Sequence, residues 1–289
     1  MNNQEKVVTY YSYLPTKIGF DYVLWGSKHF GFYPTGKADI SEKAAQILLQ
    51  DLVADRLDLT KDQLVLDAGC GQGVVSTYIA KKYGSTIIGI TLIPFEVERA
   101  QKLAKDLGIH EKTQYHVMDY SATTFSDNYF DAIYTTETLS HSPNIRKTLQ
   151  EFFRVLKPGG KISFFEYTIA PDKAFSQWER EIFDVVIEGS AMMGLKDFRH
   201  DQFTTIINDV GFENVKEQNI SRNIRPSFYR LYKLSVLPYQ FVRFFRLQKF
   251  FINTTAGYEC YRLFDKGLVR YCIFTGNKPR EDATRVAIL

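Results

Sequence analysis

The sequence predicts an α/β protein built on a mostly parallel sheet with helices on both faces. Three observations predict it. Short apolar runs alternate with amphipathic segments from "QLVLDAG" to "KISFFEYTI". The first run continues into "LVLDAGCGQG", residues 64–73, which sets three glycines at a strand-to-helix turn. A later helical segment closes on "LKPGG" directly before another apolar run. Strands separated by helices of this length make βαβ units, because parallel neighbours need a long crossover.

The elements follow in order. Residues 1–37 are rich in Tyr, Phe and Gly and read as a cap of short helices and loops. "ADISEKAAQILLQDLVADRL" has a polar start and helical apolar spacing. Strands are expected at "QLVLDAG", "TIIGI", "TQYHVMD", "YFDAIYTTE" and "KISFFEYTI". Between them "GVVSTYIAKKYG" ends at Gly84, and "PFEVERAQKLAKDLG" begins near Pro94 and stops at Gly108. "NIRKTLQEFFRVLKPGG" is expected to be a helix closing on a Pro-Gly-Gly turn. After residue 170 the rhythm changes. Residues 171–198 read as a helical lid, "HDQFTTIINDVGFENVKEQNI" as helix, turn and strand, and "GLVRYCIFTGNKP" as a last strand. The organisation is therefore a cap at 1–37, a core at 38–170, and lid, aromatic-basic lobe and final strands at 171–289.

Composition narrows the function. The chain has 289 residues, 45% of them hydrophobic, enough for a substantial core. A net charge of +3 gives no field for nucleic acid. Aromatic residues make up 15%, an excess that suits an aromatic-lined pocket for a greasy ligand. Three cysteines without a CxxC argue against a disulfide framework, and five histidines without ligand spacing imply no metal. A reduced, cytoplasmic setting is expected: no signal-peptide layout opens the chain and no apolar run reaches ~18 residues.

The glycines carry the chemistry. A turn with Gly69, Gly71 and Gly73 lets backbone approach a ligand closely. A nicotinamide fingerprint needs its third glycine where Val74 stands, and a triphosphate loop needs a G-K-[ST] that is missing. The pattern D-x-G-x-G-x-G resembles motif I of class I S-adenosylmethionine (SAM)-dependent methyltransferases. That resemblance implies a Rossmann-like seven-stranded sheet over a SAM-binding core, with S-adenosylhomocysteine as product. It assigns Asp67 and the glycines to the methionine part of SAM, and Asp119 in "HVMD" to the adenine amino group with Tyr120 flanking the ring. "FDAIYTTETLSH" and "RVLKPGGKISFFEY" resemble later segments of the same family. Many members end the second strand in an acid that holds the ribose. "IIGITLIPFEVERA" offers Thr91, followed by Leu92, so Thr91 is read as ribose ligand, as helix cap, or as both.

Further stretches resemble the sterol C-methyltransferases and the tocopherol-type and natural-product enzymes. They are "YYSYLPTKIGFDYVLWGSKHFGFY", "ETLSHSP", and "VIEGSAMMGL" with "DVGFENV". The resemblance implies a lipophilic small-molecule acceptor, methylated at carbon in a sterol, terpenoid or prenylated compound. Methylation at oxygen or nitrogen of a polyketide, alkaloid or quinone-like ring is the alternative, and a non-catalytic SAM-binding scaffold the second. Glu137 and His141, four apart, are expected to share a helical face, with His141 as general base and Glu137 orienting it or steadying positive charge. Structural roles, an ion pair and a helix cap, are open for both. Tyr11, Tyr22, Trp25, His29 and Phe30 in the cap, with Trp178 and Met192 in the lid, are candidates to close over the acceptor. Residues 218–258 hold seven basic residues and no acid. They read as a solvated lobe, as a peripheral membrane contact over 222–252, or as a diphosphate clamp. A homo-oligomer is compatible with all of this.

Overall fold

The computed structural model describes residues 1–24 and 26–280. The chain opens with helices α1 (Asn3–Ser12) and α2 (Leu14–Ile18) and a π-helical turn, Gly19–Val23. Asn2 and Glu5 form a reciprocal capping box at the start of α1. Helix α3 (Glu42–Leu57) starts at Ser41, whose Oγ accepts the Ala44 amide at 3.2 Å.

The core then alternates as the sequence predicts. Strand β1 (Leu64–Ala68) leads to α4 (Val74–Tyr83), β2 (Thr86–Thr91) to α5 (Pro94–Asp106), and β3 (Thr113–Val117) to β4 (Phe130–Thr136). Helix α6 (Ile145–Val155) leads to β5 (Leu156–Ile169). Helices α7 (Gln177–Gly189) and α8 (Phe203–Val210), β6 (Glu213–Asn219), α9 (Ser221–Phe244), α10 (Ile252–Asp265) and β7 (Val269–Asn277) complete the chain.

The seven strands form one sheet ordered β3-β2-β1-β4-β5-β7-β6. All neighbours from β3 to β5 are parallel, and β7 is antiparallel to β5 and β6. The central strands are buried on both faces, which is why "VL" in β1, "II" in β2 and "AIY" in β4 read as unbroken apolar runs. The strand order reverses between β1 and β4, and a crevice opens there at the C-terminal ends. One boundary differs from expectation. Pro158-Gly159-Gly160 is not a turn before β5 but lies inside it, with Gly159 at φ +79° and a register break against β4.

The aromatic-basic lobe is a helical hairpin made of α9 and α10. Tyr239 stacks on Tyr258 with ring centroids 4.3 Å apart, and a Cβ on Gly257 would meet Ser235 Oγ at 2.2 Å. Asn253 ties this hairpin to the N-terminal cap. Its Oδ1 accepts the Tyr10 hydroxyl at 2.7 Å, and its Nδ2 donates to Thr16 Oγ1 at 3.1 Å.

Candidate active site

Two adjoining cavities lie over the C-terminal ends of the central strands. The first is a cleft of about 80 Å³ at the turn from β1 to α4. Gly69, Gly71 and Gly73 there have φ of +94°, +51° and +76°, a region costly for residues with a Cβ. Each answers a different need. A Cβ on Gly69 would meet Thr138 Oγ1 at 2.3 Å, and one on Gly73 would meet Ala100 Cβ at 2.7 Å. One on Gly71 would meet nothing nearer than Lys28 Cδ at 3.6 Å, so its backbone is bare toward the cleft.

The sequence assignments divide accordingly. Gly69, Gly71, Thr91, Leu92, Asp119 and Tyr120 line the cleft. Gly73 does not: it caps α4 and lets that helix pack on α5. Asp67 is also set behind the wall, buried at the end of β1 beside Tyr134 and Ser76. Burial raises its carboxyl to about 7, and its Oδ2 makes no hydrogen bond among the described residues. Thr91 has its hydroxyl committed, donating to Glu96 Oε2 at 2.8 Å while accepting the Ile93 amide at 3.3 Å. Glu96, in the first turn of α5 and not singled out by sequence, brings a carboxylate into the cleft beside the end of β2, where it meets Lys28 and Thr91. Helix α1 roofs the cleft. Gln4 Nε2 donates to Asp119 Oδ2 at 2.6 Å and Asn3 Nδ2 to the His141 carbonyl at 2.7 Å.

The second cavity measures about 590 Å³ and is walled by α2, α7, α9 and α10. Its lining is overwhelmingly apolar, including Phe20, Phe183, Ile187, Phe228 and Cys260, none of them singled out by sequence. Of the expected acceptor residues, Tyr11, Phe30 and Met192 line it. Tyr22 is 78% exposed and Trp178 is 48% exposed, and neither lines it. His29 is a core histidine: Nδ1–H donates to the Phe30 carbonyl at 2.8 Å and Nε2 accepts from Gln50 at 3.2 Å. Burial lowers its pKa to about 4 and keeps it neutral. Trp25 lies outside the described residues.

Four residues line both cavities: Tyr11, Lys28, Glu137 and His141. Glu137 and His141 do not share a helical face. Glu137 has φ +56° and precedes a short 3₁₀ turn, Leu139–His141. The turn is pinned by buried Glu166, whose Oε1 accepts the Thr138 and Leu139 amides at 2.6 Å each. Burial lifts the Glu166 carboxyl to about 8.

Nor does Glu137 orient His141. His141 Nδ1 lies 3.0 Å from the Ala191 carbonyl, which can only accept, so Nδ1 carries the proton. Nε2 is then an acceptor, and the Tyr11 hydroxyl donates to it at 2.9 Å. Burial lowers the His141 pKa to about 4, so the ring is neutral over the physiological range. Glu137 is held by other donors: Tyr167 OH at 2.5 Å, Tyr271 OH at 2.9 Å and the Phe30 amide at 2.9 Å. Burial nevertheless raises its carboxyl to about 7. Two tyrosine hydroxyls and one backbone amide therefore hold this carboxyl where cleft and chamber meet. Lys28, at φ +54°, pairs with Glu96 and lies 4.5 Å from the Tyr11 ring centre and 5.2 Å from that of Phe20.

The cleft fits SAM by its chemistry. Bare backbone at Gly71, an acid after β3, an acid after β2 and a tyrosine beside them match a nucleoside with an amino-acid tail. The charge of Lys28, among the described residues the one lysine or arginine in the lining, opposes a cationic ligand.

Comparison with known proteins agrees. Residues 66–164 match the family described as "Methyltransferase domain". The S-adenosyl-L-methionine-dependent Diels-Alderase iccD of Talaromyces variabilis is 29% identical over 286 residues, covering 96% of each chain. The 24-methylenesterol C-methyltransferase 2 of Oryza sativa subsp. japonica is 32% identical over 199 residues, 68% of this chain and 53% of that one. This chain thus spans about half the length of that sterol enzyme. The geranyl diphosphate C-methyltransferase from Streptomyces coelicolor A3(2), in complex with S-adenosyl-L-homocysteine, superposes with a TM-score of 0.70 at 17% identity, over 96% of this chain and 98% of that one. Motif, sheet order and relatives converge: the chain is an enzyme of the class I SAM-dependent methyltransferase family.

Proposed function

We propose that the enzyme methylates a lipophilic small molecule, at carbon, in the apolar chamber. The observation that carries this reading is the setting of Glu137: a buried carboxyl that accepts from the Tyr167 and Tyr271 hydroxyls and the Phe30 amide where cleft meets the aromatic chamber. SAM, when bound, supplies an electrophilic methyl group on sulfur. The chain's residues then have separable tasks. Asp119 and Tyr120 hold the adenine, Glu96 the ribose hydroxyls, and the Gly69–Gly71 backbone the amino-acid tail. The chamber fixes an apolar acceptor by burial and excludes water. An alkene carbon that gains a methyl group leaves a carbocation, which the π faces and the ionised Glu137 steady. Glu137 and neutral His141, whose Nε2 accepts the Tyr11 hydroxyl, are the two groups at that junction that can take up the proton the cation then loses.

A second reading rests on Lys28 and on the full-length similarity to a Diels-Alderase. In it SAM is bound but not consumed, and the Lys28 ammonium polarises a carbonyl in a cycloaddition. One experiment separates the two. The protein is incubated with methyl-labelled SAM and a panel of sterols, prenylated compounds, polyenes and phenolics. Carbon methylation predicts label in an apolar product with one S-adenosylhomocysteine per turnover. An isomeric product of unchanged mass, without S-adenosylhomocysteine, overturns it in favour of cycloaddition. Label on oxygen or nitrogen overturns the carbon assignment alone.

A further inference from the structure

The chamber has a mouth, and it opens onto an unusual surface. Tyr13, Leu14 and Ile18 on one rim and Leu234, Phe250 and Phe251 on the other both line the chamber and are exposed. From that rim the outer face of α9 runs on as an apolar stripe. Leu234, Leu237, Phe241 and Phe244 follow at spacings of three, four and three, one side of a helix. The opposite side, Ser235, Tyr239 and Val242, is buried. The stripe is not ordinary scatter: Leu237 and Phe244 are each 81% exposed and Phe241 is 56% exposed. Lys233, Arg243, Arg246 and Lys249 flank it, and none of the four forms an ion pair among the described residues. No acid lies between residues 218 and 258. Among the described residues no helix is long and apolar enough to cross a membrane.

We infer that this face docks in the plane of an anionic lipid bilayer. The aromatic and leucine side chains sink to the boundary between headgroups and acyl chains, and the Arg and Lys side chains meet lipid phosphates. The choice of a lipid surface over a second copy of the chain rests on charge. Two like-charged, acid-free faces repel, whereas phosphates complement them. The chamber mouth then faces the bilayer, and a lipophilic molecule passes from membrane to chamber without crossing water. That route rests on the lipophilic-acceptor reading; the docking itself does not.

The test uses the full chain and vesicles of phosphatidylcholine alone or mixed with phosphatidylserine. Co-sedimentation is expected at least about tenfold stronger with the anionic vesicles, and weakened by salt. Phe241→Ser with Phe244→Ser abolishes it at low salt. Arg243→Gln with Arg246→Gln and Lys249→Gln removes the preference for anionic lipid. Both variants change only exposed side chains, and calorimetric SAM binding confirms that each is folded. Absent or salt-insensitive association overturns the inference. So does a dimer in sedimentation velocity that dissociates on Phe241→Ser with Phe244→Ser while vesicles stay unbound. Vesicle binding without methyl transfer from SAM to any embedded acceptor leaves the docking standing and defeats the lipophilic-acceptor reading instead.

Discussion

The cleft over the glycine turn and the chamber beside it are built in opposite ways. The cleft takes most of its wall from the ends of consecutive strands and the turns after them: Gly69–Gly71 after β1, Thr91 and Leu92 at the end of β2, Asp119 and Tyr120 after β3, Glu137 after β4. Its chemistry is backbone and carboxylate, and each part sits at a fixed place in a repeating βαβ unit. The chamber takes its wall from both ends of the chain. Tyr10 and Asn253, 243 positions apart, are joined by one hydrogen bond across it. Its chemistry is apolar surface, which many side chains supply equally well. A local motif fixes what the donor is; a composite apolar wall leaves the identity of the acceptor open to the proposal above.

The first prediction strikes the junction of the two. Glu137→Gln keeps the hydrogen-bonding shape but removes the ionisable carboxyl. Turnover is expected to fall about 100- to 1,000-fold with SAM affinity preserved, read by steady-state kinetics and calorimetry. The pH profile sharpens this. Glu137 is protonated below about 7 and ionised above, so rate rises with pH through that value and the limb vanishes in Glu137→Gln. His141 is already neutral above about 4 and contributes no limb between pH 5 and 8. A limb that survives in Glu137→Gln contradicts the assignment.

On the cleft side, Gly69→Ala forces a Cβ into Thr138 at a φ of +94°. A loss of about 2–3 kcal/mol in stability is expected. SAM binding should weaken at least about tenfold, because Gly69 and Thr138 both line the cleft and both must shift. Unfolding midpoints and calorimetry check both. On the chamber side, Ala256→Phe fills space without removing a packed side chain. It should raise KM for a bulky acceptor about tenfold and leave SAM affinity unchanged, as expected if the compartments are independent. The smallest effect is predicted for Tyr22→Ala and Trp178→Ala. Both side chains are exposed and off the wall, so stability should change by less than about 0.5 kcal/mol and kinetics not at all.

The same contrast explains what the sequence disclosed. Strands β1 to β5, their helices and the cleft residues Gly69, Gly71, Thr91, Leu92, Asp119 and Tyr120 were legible because pattern and position coincide within a few residues. Glu96 was not, because an acid in the first turn of a helix reads as a favourable helix start. His29 and Trp178 were misread for a related reason. Residue type suggests a ligand contact, but burial against Gln50 and exposure to solvent, respectively, decide otherwise. The partnership of Glu137 with Tyr167 and Tyr271 had no local signal, since β5 and β7 become neighbours only through the sheet. Lys28 lay inside a segment read for its aromatic rings, so its charge at the mouth went unnoticed.

Lys28 also supplies the most direct test of the cleft as a sulfonium-donor site. Calorimetry with SAM and with S-adenosylhomocysteine measures the same contacts with and without the sulfonium charge. The account predicts that both bind one to one. It further predicts that Lys28→Gln tightens SAM about three- to tenfold while leaving S-adenosylhomocysteine nearly unchanged, because only SAM adds a sulfonium and so carries a net positive charge. Failure of either ligand to bind the folded wild-type protein contradicts the account at its root.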